Sequence, residues 1–328
     1  MIKLYLSIFL ASLACALITT PIIRKIALKW GVVDRPSARK IHIEPIPLFG
    51  GLSIAFAFLL VFSLFGSFNI ELLSVLFASL MIIAVGVWDD VKSIPPFLKL
   101  FAQISACWLV IIFGAKVSFT NNPDIDIPLT FLWIVGMTNA FNLLDNMDGL
   151  SVGIAGIASS FFLVLSAMNG QFVIASLSAA LAGSCFGFLR YNFKPAQIFM
   201  GDTGSMFLGF LLAIIGLKLR FVNAGALTFA IPIVVLSLPI FDTTLVIISR
   251  MRRGVKVSEG GKDHTSHRLT KIGLSQGVAV LLLYIIGAIL GVCGVVLSLL
   301  TPSVSYCLLG ILLLLMIVGI ALFEKVKV

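Results

Sequence analysis

The chain has 328 residues, 60% hydrophobic and only 11% charged, with a formal net charge of +9. Soluble domains carry roughly 25% charged residues, so this composition excludes an ordinary soluble enzyme and indicates a polytopic membrane protein. The longest polar stretch, Arg250 to Lys271, is too short to enclose a core, which excludes a separate soluble domain.

Eleven apolar runs have spanning length: about 3–23, 50–67, 70–88, 98–116, 127–144, 150–168, 171–189, 206–220, 224–249, 275–299 and 303–323. The first has Lys3 before its apolar run, as a signal peptide would, but no small-x-small site follows, so it reads as the first span. Cys15, Cys107, Cys185, Cys293 and Cys307 all lie in apolar runs without CxxC spacing and read as neither disulfide nor metal ligands. The expected fold is all-α, about eleven transmembrane helices in a single catalytic domain over 1–328.

Alternating the connections sorts them into two sides. Loops 24–49, 89–97, 145–149, 190–205 and 250–274, with Lys99 and the tail after 323, hold every Lys and Arg except Lys3, Lys116, Lys218 and Arg220. The positive-inside rule puts that side in the cytoplasm, with the N-terminus outside and the C-terminus inside. The basic balance thus reflects topology and gives no support to a nucleic-acid partner.

The chemical character also gathers on that side. In the first loop Asp34 precedes Arg39, Lys40 and His42, which suit phosphate oxygens, and Gly50-Gly51 allows a backbone to approach a ligand or a neighbouring helix. The third run ends in Asp89-Asp90, two carboxylates that oppose a helix dipole and call for a compensating cation, a metal or Lys92. The fifth ends Asn139-Ala140-Phe141-Asn142-Leu143-Leu144-Asp145-Asn146-Met147-Asp148-Gly149. There Asn139, Asn142, Asn146 and Gly149 step by three or four along one helical face, which would be costly against lipid. Asn192 lies ten residues before Asp202, in Gly201-Asp202-Thr203-Gly204-Ser205, where a carboxylate at a glycine-flanked turn suits a metal and the backbone N–H groups suit phosphate. The last loop carries His264, His267 and Arg268 beside Lys262, more an anion site than a zinc site. Asp242 lies inside the ninth run, a functional candidate unless a loop arginine pairs with it. Each cluster alone also fits a solvated helix end, a cap or a basic loop.

Together the clusters resemble the polyprenyl-phosphate N-acetylhexosamine-1-phosphate transferases. The likeness covers nearly the whole chain: Asp-Asp at 89–90, Asn-x-x-Asn-x-x-Asp-x-x-Asp-Gly at 139–149, Asn192, Gly-Asp-x-Gly-Ser at 201–205 and the histidine loop occur in family order. The stretch Val33-Asp34-Arg35-Pro36 through Ile46-Pro47 and His264-x-x-His267-Arg268-Leu269 look like the GlcNAc branch. The pentapeptide branch's His-His-x-Glu is absent, and Ser266 stands inside what is often His-x-His-His. The resemblance implies transfer of a sugar-1-phosphate from a UDP-N-acetylhexosamine to undecaprenyl phosphate, releasing UMP and starting a surface glycan, with Mg²⁺ (or Mn²⁺) as cofactor.

By that resemblance Asp89, Asp90, Asp145, Asp148, His264, His267 and Arg268 are catalytic, and Asp202 with Asp90 holds the metal. Asp34, Arg39, Lys40, His42, Asn139, Asn142 and Asn192 bind substrate. The expected location is the cytoplasmic membrane with the site facing the cytoplasm, and the family allows a homodimer. A secondary transporter would also carry intramembrane acids, but at mid-bilayer rather than at helix ends. A non-catalytic membrane scaffold would need none of the five clusters.

Overall fold

A computed structural model describes residues 1–35, 45–65, 69–116, 120, 122–221, 227–256 and 261–326. Its helices are α1 (Ile2–Trp30), α2 (Gly50–Phe65), α3 (Ile70–Val91), α4 (Pro96–Ile112), α5 (Pro123–Leu144), α6 (Leu150–Met168) and α7 (Phe172–Asn192). They continue with α8 (Gly201–Lys218), α9 (Leu227–Val235), α10 (Ser237–Arg253), α11 (Thr265–Lys271), α12 (Gln276–Leu299) and α13 (Pro302–Glu324). A two-residue antiparallel pair, β1 (Val33–Asp34) with β2 (Ile46–Pro47), closes the first loop.

The protein is therefore an all-α membrane protein. Among the described residues eight helices are long and apolar enough to cross a bilayer, and α9 with α10 makes a ninth if read as one bent span. The shorter apolar α2 and α4 occupy the second and fourth predicted runs. The run expected as one helix over 224–249 is broken: α9 and α10 meet at 74°. Proline explains the break. Pro239 has no N–H for Val235 and its ring crowds that carbonyl, and Pro232 sits about two turns earlier.

The bundle is built around α8. Every residue from Thr203 to Leu217 is buried, against α2, α3, α5 and α6. Four-fifths of α8 is enclosed, whereas none of the corresponding window of α13 is, so α8 is the axis and α13 the rim. Lipid offers no hydrophobic drive between helices, so close backbone packing has to hold them. Gly51 abuts Gly204, and Gly86 abuts Thr203. The Gly51 amide also donates to Met200 O at 2.8 Å and the Gly50 amide to Phe199 O at 2.9 Å. The Gly50-Gly51 pair thus serves a neighbouring helix. Outward faces, such as Ile311, Leu314 and Ile317 of α13, are exposed and apolar, as contact with lipid requires.

This packing can be tested. A Cβ at Gly51 would lie 2.2 Å from Gly204 N and one at Gly86 2.4 Å from Thr203 Cα, whereas nothing lies within 4 Å at Gly310. Gly51→Ala and Gly86→Ala should each cost about 1–3 kcal/mol, read as a lower unfolding midpoint in detergent. Gly310→Ala should be neutral or slightly stabilising. Wild-type midpoints for both Gly51→Ala and Gly86→Ala would refute the close approach.

Candidate active site

At one end of the bundle, α3 ends where α8 begins. The first N–H groups of a helix lack internal partners and carry partial positive charge. Asp90 supplies what α8 lacks: Oδ1 accepts from Asp202 N at 2.8 Å, and Oδ2 accepts from Thr203 N at 3.2 Å and Thr203 Oγ1 at 2.6 Å. Gly201 has φ 68° and a Cβ there would strike the Asp90 carboxylate, so only glycine lets the two chains meet this closely. Asp89 faces the other way. Its Oδ1 accepts from Ile94 N at 2.9 Å, and its Oδ2 accepts from Lys99 Nζ at 2.8 Å. The same ammonium donates to Asp202 Oδ2 at 2.5 Å. Lys99 thereby ties the end of α3 to the start of α8. Asn142 Nδ2 donates to Ser205 Oγ at 2.9 Å, which fixes the end of α5 against the same turn of α8.

The helix expected through Gly149 stops at Leu144. Asp145 is its C-cap, and Gly149 takes φ 77° before α6. Asn146 and Gly149 therefore leave the face shared by Asn139 and Asn142. Three bonds hold the turn: Asp148 Oδ2 accepts from Ala196 N at 3.1 Å, Asn192 Oδ1 from Gly149 N at 3.1 Å, and Gly149 O from Tyr284 OH at 2.6 Å. Asn192 also donates to Ile198 O at 2.9 Å and is buried. Asn139 is engaged too, donating to Gln103 Oε1 at 2.7 Å. Burial first, then the charges of Asp202, Asp90 and Asp148, pushes the Asp145 carboxyl up to about 8.

The histidine turn docks beside these carboxylates, with Ser266 Oγ donating to Asn146 Oδ1 at 2.5 Å. Its other anchors lie on α10 and α13. Asp242 pairs with His264 Nδ1 at 2.8 Å, and Arg250 is taken by Asp263 in a two-pronged bond, both contacts at 2.8 Å. Arg253 adds a contact to Asp263 at 2.5 Å. Burial alone would raise the Asp263 carboxyl, but the hydrogen bonds and charge of Arg250 hold it at about 2. The His264 and His267 rings stand edge to face, centroids 6.1 Å apart.

An apolar cavity of about 580 Å³ opens along α5, α9 and α10, lined by Leu132, Trp133, Met137, Ala140, Ile233 and Thr243 among others. Both arms of the bend between α9 and α10 line it. Ala140 and Thr243 bring it within a turn of Asn142 and next to Asp242.

Residues 72–220 match the model of Glycosyl transferase family 4. The chain is 38% identical to the "Probable undecaprenyl-phosphate N-acetylglucosaminyl 1-phosphate transferase" of Bacillus subtilis, over 94% of this chain and 89% of that one. It is 32% identical to the "Decaprenyl-phosphate N-acetylglucosaminephosphotransferase" of Mycolicibacterium smegmatis, over 84% of this chain and 78% of that one. The chain belongs to glycosyl transferase family 4. Likeness to the "Phospho-N-acetylmuramoyl-pentapeptide-transferase" of Chlamydia trachomatis is higher, 51%, but spans only 92 residues, 27% of each chain.

In this family 4 member, Asp89 and Asp202 bracket Lys99, Asn142 reaches Asp202, and Asp145 lies within electrostatic range of Asp202, with the histidine turn beside them. Four expected site residues are engaged elsewhere. Asp90 caps α8 with both oxygens, and Asn192 pins the turn before α6. Asn139 is locked to Gln103. Arg268 donates to Phe323 O at 2.6 Å, Val326 O at 2.8 Å, Ser249 Oγ at 2.7 Å and Asp263 O at 3.0 Å, so its guanidinium closes the C-terminus of α13. His267 is not a cation here at neutral pH: burial, then the charges of His264 and Lys262, lowers it to about 4. Asp242 pairs with His264, not with the loop arginine that would have given it a purely structural account. Asp34 lies in β1, and Arg39, Lys40 and His42 fall outside the described residues.

Lys99 is the residue the sequence reading missed. It stands in the first turn of α4, where a helix dipole disfavours a cation, just as Asp89 stands at the disfavoured end of α3. Two groups at the wrong poles of adjoining helices are a legible signal of pairing.

For a divalent cation, the donor set fits magnesium better than zinc. Among the described residues no three His, Cys, Asp or Glu side chains form a ready cage. Magnesium takes one or two carboxylates and completes its shell with water and phosphate. Asp202 and Asp145 are the carboxylates with that capacity, since both Asp90 oxygens are committed.

Two outcomes follow from these contacts. Asp90→Ala removes the cap of α8 and should cost roughly 1–2 kcal/mol of stability, Asp90→Asn less because it keeps an acceptor. Equal midpoints for wild type and Asp90→Ala would refute the cap. For His267 the folded pKa lies below the unfolded one, so the unfolded chain takes up the proton first. Its contribution is complete above about pH 6.5 and is lost as pH falls toward 4. The wild-type midpoint should therefore drop more steeply than that of His267→Gln across this window; parallel curves would refute it.

Proposed function

We propose that this protein transfers GlcNAc-1-phosphate from UDP-GlcNAc to undecaprenyl phosphate, releasing UMP and starting a surface glycan. The observation that carries the reading is the Lys99 ammonium, held between Asp89 and Asp202. A lipid phosphate and a nucleotide diphosphate repel one another, so catalysis here is mainly charge neutralisation and positioning. The cavity has the size and apolar lining to take part of a prenyl chain, with its phosphate at the polar end near Ala140 and Thr243. The names of the relatives matched over most of the chain support GlcNAc over the pentapeptide sugar.

In the proposed step a lipid phosphate oxygen attacks the sugar-linked phosphorus. The bond from that phosphorus to the bridging oxygen breaks, and UMP leaves with the electron pair. A phosphate monoester has a second pKa of about 6, so the nucleophile is already largely ionised at neutral pH. Asp89 holds Ile94 N and Lys99 with its two oxygens, which suits positioning and favours direct displacement over an aspartyl-phosphate. Lys99 neutralises charge on the diphosphate, and Asn142 and Ser205 steady the Asp202 turn. Mg²⁺, held by Asp202 and Asp145, would supply further neutralisation of the leaving nucleotide. We place the site on the cytoplasmic face of the cytoplasmic membrane, with eleven crossings, the N-terminus outside and the chain acting as one catalytic unit. The Lys and Arg distribution supports that orientation.

Transfer of radiolabel from UDP-GlcNAc to undecaprenyl phosphate tests this, with Mg²⁺ and with EDTA. UDP-GalNAc and UDP-MurNAc-pentapeptide serve as rival donors. UDP-GlcNAc should be used best and EDTA should stop turnover. Lys99→Met and Asp202→Asn should each lower kcat by roughly 100-fold or more while leaving the protein folded. Near-normal turnover in either variant, or preference for another donor, would overturn the reading.

A further inference from the structure

Asp242 is a carboxylate inside a membrane-embedded helix, 1% exposed, and the reaction proposed above gives it no part. Its surroundings are specific. Oδ2 meets His264 Nδ1 at 2.8 Å and Oδ1 accepts from Thr265 N at 2.7 Å. The two bonds act on one object: the second fixes the backbone at the start of α11, and the first fixes the ring that α11 begins with. With Nδ1 facing a carboxylate, Nδ1 carries the proton and Nε2 is the free end of the ring. Among the described residues no group bonds Nε2, and it is not one of the sealed, unpartnered polar atoms. The same turn is latched to the carboxylate cluster by Ser266 and Asn146.

We propose that Asp242 is the positioning residue for His264: it sets the Nδ1–H tautomer and the ring orientation, so that Nε2 can take the residual proton of the lipid phosphate and, as Nε2–H, donate back to an anionic phosphate oxygen of the reacting pair. The buried acid then has a use that a lipid-facing or merely structural carboxylate lacks. Its cost is met by two hydrogen bonds, one from a backbone amide. The logic is that of a carboxylate orienting a histidine from behind, which needs only this geometry and no particular fold. The role in turnover rests on the proposed transferase reading; the tautomer does not.

The chain contains three histidines, so ¹⁵N-histidine labelling gives a spectrum that His42→Ala and His267→Gln variants can assign. In the wild type the His264 signal should be that of an Nδ1-protonated ring. Asp242→Asn keeps an oxygen for Thr265 N but turns an amide toward Nδ1, and should shift the proton to Nε2. Its kcat should fall roughly 100-fold or more, with KM for the sugar nucleotide changed less than about threefold. His264→Asn retains a donor toward Asp242 but has no Nε2. It should remain folded, lose kcat to a similar degree, and add nothing further when combined with Asp242→Asn. Should Asp242→Asn fail to fold, the wild-type tautomer and the His264→Asn kinetics still decide. An Nε2-protonated His264 in the wild type, or near-normal kcat in His264→Asn, would overturn the proposal. So would an Asp242→Asn variant with a shifted tautomer and normal kcat. If the wild type transfers no sugar phosphate from any donor but His264 is Nδ1-protonated, the transferase reading fails and the geometric half of this one stands.

Discussion

A lipid-embedded bundle cannot leave several carboxylates together without an answer to their charge, and Lys99 is the centre of that answer. It holds Asp89 and Asp202, which are 113 residues apart in the chain, within one ammonium's reach. Asp90 is satisfied separately, by the N-terminus of α8. What remains is Asp145: burial and its acidic neighbours push its carboxyl upward, so that it favours its proton unless a cation comes to it. Such a site is suited to a divalent ion and to the cationic assistance that two phosphates need on meeting.

The glycine contacts of α8 belong to the same account. Asp202 can sit beside Lys99 only because α8 enters the bundle between α2 and α3 at backbone distance, through Gly51, Gly86 and Gly204. The polar end of α8 is thus set by packing far more than by its own sequence. The histidine turn follows the opposite plan. It is held by ion pairs and hydrogen bonds from α10 and α13, with Arg268 and Asp263 as the joints.

Much of this was legible in the residues. Each apolar run has a helix at its place, because hydropathy over spanning length is a strong and local signal. The Asp-Asp pair, the Gly-Asp-x-Gly-Ser turn and the histidine loop do meet, since all lie at helix ends on one side. What was not legible was partnership. Asp89 and Asp90 are adjacent and look alike, yet one faces the cleft and the other a helix N-terminus, and only the crossing of α3 and α8 decides which. Arg268 looked like a phosphate ligand because the C-terminal carbonyls it serves are more than fifty residues away. The bend at Leu236 was readable from Pro232 and Pro239, but the strength of the apolar run concealed it.

The central claim is that the Lys99 cluster is where the sugar nucleotide's diphosphate lies. Cryo-electron microscopy of the protein in lipid nanodiscs with UDP-GlcNAc and Mn²⁺ tests it most directly. The account predicts diphosphate density against Lys99 and Asp202, with the metal at Asp202 and the sugar toward the histidine turn. Diphosphate density elsewhere, with the Lys99 bridge between Asp89 and Asp202 undisturbed, would contradict it.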